Sequence, residues 1–179
     1  MRKGFTILEI LIALTILVIT FTLITLLYVR GARIRNIINA YNEVGEVLSQ
    51  MTDTIANGRK KFLGQDIVGL KQLANLTNAE DKSLSFSMDG NTFTYTINNG
   101  SLELTTPSGN YNLDPNNKVE ILDDSKFEYY YPDGTRGTDV NKITLVKIIL
   151  IGKSTNPAMK KMVPMRIETA VRLKNKTSF

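Results

Sequence analysis

Glu9 is the only charged residue between Gly4 and Val29. Around it the chain reads RKGFTILEIL, and from Ile10 to Val29 it reads ILIALTILVITFTLITLLYV, without a charge, a glycine or a proline. A carboxylate in so apolar a setting needs a reason. On insertion scales an acidic residue at the bilayer centre costs roughly 2.5–3.5 kcal/mol. Near one end the cost is smaller, yet leucine there would cost nothing. Two chemistries are open. A carboxylate in the first turn of a helix gains about 0.3–1 kcal/mol from the helix dipole. Alternatively, a cut between Gly4 and Phe5 places a new α-amino group on Phe5, mostly protonated near neutral pH, one helical turn before Glu9. That pair can neutralise within one chain, or between side-by-side helices staggered by about one turn. In the second case Glu9 fixes the register of assembly.

The element that must position Glu9 is a long helix. At about 1.5 Å per residue, Ile10 to Val29 spans about 30 Å, the hydrocarbon thickness of a bilayer. A secretory signal peptide fits poorly, because its apolar core is only about 7–15 residues, and YVRGARIR offers no good cleavage site. An ordinary signal anchor fits the length, with Arg2 and Lys3 holding the N-terminus in the cytoplasm. Arg30, Arg33 and Arg35 beyond the other end contest that charge signal. The apolar threonines' neighbours leave Thr15, Thr22 and Thr25 two roles: lining a helix–helix contact, or bonding back to their own helix.

Composition narrows the chemistry further. The 179 residues contain neither histidine nor cysteine. Ser/His/Asp triads, Cys/His pairs, zinc sites and disulfides are thereby excluded. The net charge of +5 is mild, and the basic clusters 30–35, 59–61 and 160–161 are short. They read as solvated faces or a membrane-proximal collar rather than a nucleic-acid footprint. Asp123-Asp124, Asp89-Gly90 and Asp133-Gly134 lack the alternating oxygens of a calcium loop and read as turns.

Beyond the span, Ile34, Ile37, Ile38, Tyr41, Val44, Leu48, Met51 and Ile55 recur at steps of three and four. They form the apolar stripe of an amphipathic helix expected to pack on its own sheet. Asn57-Gly58 should stop the helix, with Arg59-Lys60-Lys61 near its negative end. Gly31 and Gly45 permit local bending. Residues 62–82 read as a connector in which LKQLANL forms a turn or two of helix. The period then changes to two. SLSFSM and FTYTI flank Asp89-Gly90, and Asn99-Gly100 turns the chain into SLEL. KFEYYY, KITLVKIILI and a final strand over 163–174 complete six antiparallel strands against a helix, an α+β domain. In the final strand Val163, Met165, Ile167, Val171 and Leu173 share one face, and Arg166, Glu168, Arg172 and Lys174 the other. Tyr129 and Tyr131 share a core face, and Tyr130 faces the other way, its role open.

KGFTILE followed by an apolar helix resembles the class III signal of type IV pilins and type II secretion pseudopilins. Gly4 matches the last leader residue. Phe5 matches the first mature residue, which a prepilin peptidase exposes and then N-methylates. Glu9 matches the assembly glutamate and Thr6 the polar neighbour of the new terminus. The early proline frequent in that family is absent here. The strand half, through FTYTINNGSLEL, VEILDDSKFEYYYPDG, ITLVKIILI and IETAVRLKNK, is similar to PilW-type minor pilins and J-type minor pseudopilins.

The resemblance implies a pilin-like fold with a leader over 1–4, a transmembrane or filament-core half-helix over 5–29, an amphipathic half over 30–57 and a sheet domain over 58–179. It implies a structural subunit of a tip or priming complex, inserted in the cytoplasmic membrane with its N-terminus inside, then carried into a periplasmic or surface filament. It implies the substrate of a peptidase rather than an enzyme, with no cofactor. Its implied partners are prepilin peptidase, other minor pilins or pseudopilins, the major subunit, an inner-membrane assembly platform and membrane lipid. A second class is a binding module at a filament tip contacting DNA, a surface or a secreted substrate, which an exposed basic-aromatic patch around Tyr130 would favour.

Overall fold

The computed structural model describes residues 6–62, 65–72, 75–159 and 161–173. Helix α1 runs over Ile7–Asn57. Two compact units divide the chain between Asn39 and Ala40, inside this helix.

From Ile7 the N-terminal unit is helix alone, and every described side chain in it is exposed. This includes Ile34, Ile37 and Ile38 at 58%, 44% and 52% exposure. The stripe expected to lie on its own sheet is therefore split. Ala40, Val44, Leu48, Met51 and Ile55 are buried in the second unit, and the three isoleucines of the first unit are not. Helical periodicity continues through both stretches, but only the later one has a sheet beneath it.

The second unit is α+β, with the C-terminal part of α1 packed against antiparallel sheets. The helix stops where expected, at Asn57, and Gly58 takes a left-handed φ of 76° that glycine adopts without penalty. Its last carbonyls are capped from an unexpected quarter. Leu70 N–H donates to Ile55 O (2.9 Å), Lys71 N–H to Ala56 O (3.0 Å) and Gln72 Nε2 to Asn57 O (3.0 Å). Residues 70–72 form a turn, not the start of a helix. Their N–H groups serve the orphan carbonyls of α1 instead of a helix of their own. The last turn of α1 holds no basic residue.

The expected connector is largely strand. β1 (Gly58–Phe62) pairs with β2 (Gln65–Val68), and β3 (Asn75–Glu80) opens a five-stranded sheet. That sheet continues through β4 (Ser83–Met88), β5 (Asn91–Asn98), β6 (Ser101–Thr106) and β7 (Gly109–Asn112) as an antiparallel meander. Its two expected hairpins are present. Asp89-Gly90 and Asn99-Gly100 both have positive φ, 52° and 79°, 46° and 80°. That is type I′ geometry, which matches strand twist. Leu84, Phe86, Tyr95, Leu102 and Leu104 face the core and are fully buried. Phe86 stacks on Phe93 and Tyr95, with ring centroids 5.5 and 6.1 Å away.

The second sheet has β10 (Leu145–Ser154) at its centre. β11 (Met165–Arg172) pairs along one edge, while β8 (Val119–Ile121) and β9 (Lys126–Tyr130) share the other. β3, β7 and β8 were not expected from the sequence. The final strand starts later than expected. Val163 lies outside it and is 68% exposed, its N–H donating to the Tyr41 hydroxyl at 3.1 Å. Gly152 in β10 admits the helix. A Cβ there would stand 2.6 Å from Val119 Cγ1 and 3.1 Å from Leu48 Cδ2.

Between β8 and β9 the edge of β10 would be left open at Ile151. The fully buried Ser125 closes it. Its Oγ donates to Ile151 O (3.0 Å) and accepts from Ile151 N–H (2.8 Å), and Leu122 N–H also reaches Ile151 O (2.8 Å). One hydroxyl thus replaces a missing strand residue. Lys82, in the β3–β4 turn, reaches the same loop, its Nζ donating to Asp123 O and, at 2.6 Å, to Ser125 O. Ser125→Ala should cost about 1–3 kcal/mol, because it strands the N–H of Ile151 without a partner. A lowered urea midpoint at unchanged slope would show it. A midpoint equal to wild type would mean that the loop is re-paired by water.

Candidate functional site

The first described residues build a reciprocal cap. Thr6 precedes α1, and its carbonyl accepts the N–H of Ile10 at 3.3 Å. The Thr6 hydroxyl accepts the N–H of Glu9 (3.3 Å) and donates to Glu9 Oε2 (3.0 Å). Glu9 Oε2 also accepts the backbone N–H of Thr6 at 2.8 Å. This is a capping box, in which a threonine at the N-cap and a glutamate three residues on satisfy each other's orphan donors. The sequence signal was present as T-x-x-E ahead of an apolar run, and a reading built on charge alone passed over it. Gly4 and Phe5, the expected cleavage and N-methylation positions, lie outside the described residues.

The cap is a hydrogen-bond solution and not a charge solution. Thr6 offers neutral donors, so the carboxylate keeps its full charge. Among the described residues no cation stands within ion-pair distance of Glu9. From Ile7 onward the helix is long and apolar enough to cross a membrane, with mean hydropathy 2.8 in its most apolar window and none of that window buried. Its threonines bond back to the helix. Thr15, Thr20, Thr22 and Thr25 donate to the carbonyls of Leu11, Ile16, Val18 and Phe21 at 2.8–2.9 Å. Their hydroxyl protons are used inside the helix.

A second constellation lies on β9. Glu128 is 6% exposed, yet it lies between two cations. It accepts from Lys126 Nζ (3.0 Å), Arg136 Nη2 (2.7 Å) and the Tyr130 hydroxyl (2.8 Å). Arg136 Nε donates to the Tyr130 hydroxyl at 3.2 Å, and its guanidinium carbon lies 5.6 Å from the centre of the Tyr130 ring. Burial pushes the Glu128 carboxyl up, but Lys126, Tyr130 and Arg136 outweigh it and hold the group below its usual range. Strand alternation places Lys126, Glu128 and Tyr130 on one face, and K-x-E-x-Y in the sequence carried that signal unread.

Tyr129, by contrast, is core. Its hydroxyl donates to the Glu80 and Ser83 carbonyls, both at 3.0 Å. The Asp133 carboxylate accepts from Thr135 N–H (2.9 Å) and Oγ1 (2.7 Å), which is turn chemistry. Among the described residues no three Asp, Glu, His or Cys side chains converge to hold a metal ion.

The Glu128 cluster predicts a pH dependence. Its folded pKa is depressed, so its stabilisation is present above the unfolded carboxylate value of about 4.3 and is lost as pH falls through the folded pKa. Glu128→Gln should cost roughly 1–3 kcal/mol near pH 7, from charge-assisted hydrogen bonds lost in a buried site. The gap to wild type should close progressively below about pH 4. Denaturant midpoints measured across that range would check it, and a gap that stays constant would contradict it.

Comparison with protein-family profiles, curated proteins and solved structures returns no match to this chain.

Proposed function

We propose that this chain is a minor pilin or pseudopilin, a structural subunit trimmed between Gly4 and Phe5 and built into a type IV pilus or type II secretion pseudopilus. One observation carries the reading. Glycine, phenylalanine and glutamate stand in the spacing of a class III prepilin signal directly ahead of a helix able to span a bilayer. The PilW-like and J-like order of the strand half supports a tip or priming subunit. Its chemistry is assembly. A prepilin peptidase acts on it, membrane lipid holds it before assembly, and minor and major subunits together with an inner-membrane platform receive it.

The capping box sharpens the role of Glu9. Trimming would remove Arg2 and Lys3 and leave the Phe5 α-amino group as the cation nearest in sequence to Glu9. The carboxylate would then hold the first turn through Thr6 and, by its charge, a terminus of its own chain or of a neighbour. Cap and charge are separable, because glutamine also completes a capping box.

Co-expression with a prepilin peptidase should yield an intact mass lacking residues 1–4, with N-methylated Phe5 at the new terminus. A chain that keeps Met1, or is cut beyond Val29, would sink the reading. Glu9→Gln should keep normal membrane levels and lose incorporation into filaments. Normal filament levels for Glu9→Gln alongside loss for Glu9→Leu would assign Glu9 to the cap alone.

A further inference from the structure

The Glu128 cluster is one end of a larger charged surface. In β10 the side chains of Val146, Ile148 and Leu150 enter the core, so Leu145, Lys147, Ile149 and Ile151 lie on the opposite face, where Ile149 is buried beneath its neighbours and the other three are half-buried. The register sets Lys147 between Glu128 and Ala170, Ile149 between Lys126 and Glu168, and Leu145 between Tyr130 and Arg172. Contacts bear this out. Lys147 Nζ lies 2.6 Å from Glu168 Oε2, and Arg166 holds the other oxygen of the same carboxylate. Glu128 and Glu168 are the two acids of this face, and each already holds two cations. Arg172 is a fifth cation, exposed, and among the described residues it makes no ion pair. The excess ends at Lys153, which Glu120 matches at 3.2 Å.

We propose that the outward face of β9, β10 and β11 is a docking surface for an acidic segment of a partner protein. The inference stands apart from filament assembly and would survive its failure. Charge states the chemistry of the occupant, since five cations against two carboxylates leave guanidinium and ammonium donors pointing outward. Shape states its form. From Leu145 to Ile151 the face runs about 20 Å along the strands and about 10 Å across them, so the cations are spread along a line rather than gathered around a small anion.

Two features favour a protein over a nucleic acid. Among the described residues Tyr130 is the only aromatic side chain on the face, and Arg136 already lies over its ring, so it offers no free platform for bases. Leu145 and Ile151 are half-buried among the cations and give apolar contact that a phosphate backbone would not use. Arginine forks suit carboxylates, and within the chain Arg166 already bonds one oxygen of Glu168 through both Nε and Nη2.

The test uses the full chain in non-ionic detergent micelles and fluorescence anisotropy. The probe is a labelled peptide of about eight glutamates, which at about 3.4 Å per residue exceeds the length of the face. An oligothymidylate of equal charge runs beside it. The peptide should bind, weaken as salt rises, and lose roughly tenfold in affinity with Arg172→Glu. Lys71→Glu, in the 70–72 turn, controls for net charge and should bind as wild type does. Should Arg172→Glu lose its sheet signal in circular dichroism, Arg172→Gln carries the same comparison. Absence of peptide binding at low salt overturns the proposal. So does equal binding by the Arg172 and Lys71 variants, or tighter binding of the oligothymidylate than of the peptide.

Discussion

Burial of one edge of α1 is the interaction on which the sheet domain depends. Val44, Leu48, Met51 and Ile55 are at most 2% exposed. Each buried side chain of this size contributes about 1.5–3 kcal/mol, so the four together rival the whole net stability of a typical domain, about 5–15 kcal/mol. The rest of the fold is arranged to allow that contact. Gly152 removes the side chain that would hold Leu48 off β10. The 70–72 turn caps the end of the helix, giving its last carbonyls partners within the domain. Ser125 then completes the edge of the central strand.

The same edge explains what sequence periodicity can and cannot tell. A stripe at steps of three and four says that something covers it, and it is silent about what. Ile34, Ile37 and Ile38 carry the pattern of Val44, Leu48 and Ile55, but they belong to the unit that has no sheet. Composition carries no mark of that change at Asn39. The strands followed a similar rule. SLSFSM and FTYTI, strictly alternating around Asp-Gly and followed by Asn-Gly, were legible because alternation and turn chemistry agreed. β7 and β8 are short, with four and three residues, too few for a period to declare itself. LKQLANL was misread because its leucines have helical spacing while its N–H groups were needed elsewhere.

Both constellations around charged residues were half legible for one reason. Glu9 and Glu128 are each held by partners close in sequence, and local partners are easy to overlook when the question is what distant group a charge might serve. For Glu128 the local reading is nearly sufficient, since two cations and a hydroxyl leave the carboxylate well satisfied. The surplus charge on that face lies with its partners, not with Glu128 itself.

For Glu9 the local reading is insufficient. Thr6 satisfies the hydrogen-bonding capacity of one oxygen and neutralises nothing. If the apolar surface from Ile7 to Val29 is covered, by lipid or by other helices, the negative charge is carried into a medium that penalises it. A nearby cation would offset that cost. Along the helix the next one is Arg30, about 30 Å away at 1.5 Å per residue, beyond any useful Coulomb interaction. In the untrimmed chain Lys3 is within sequence reach, and in a chain trimmed as proposed only a chain terminus would be. A chain processed at Gly4 would thus exchange a side-chain cation that leaves for an α-amino cation that stays.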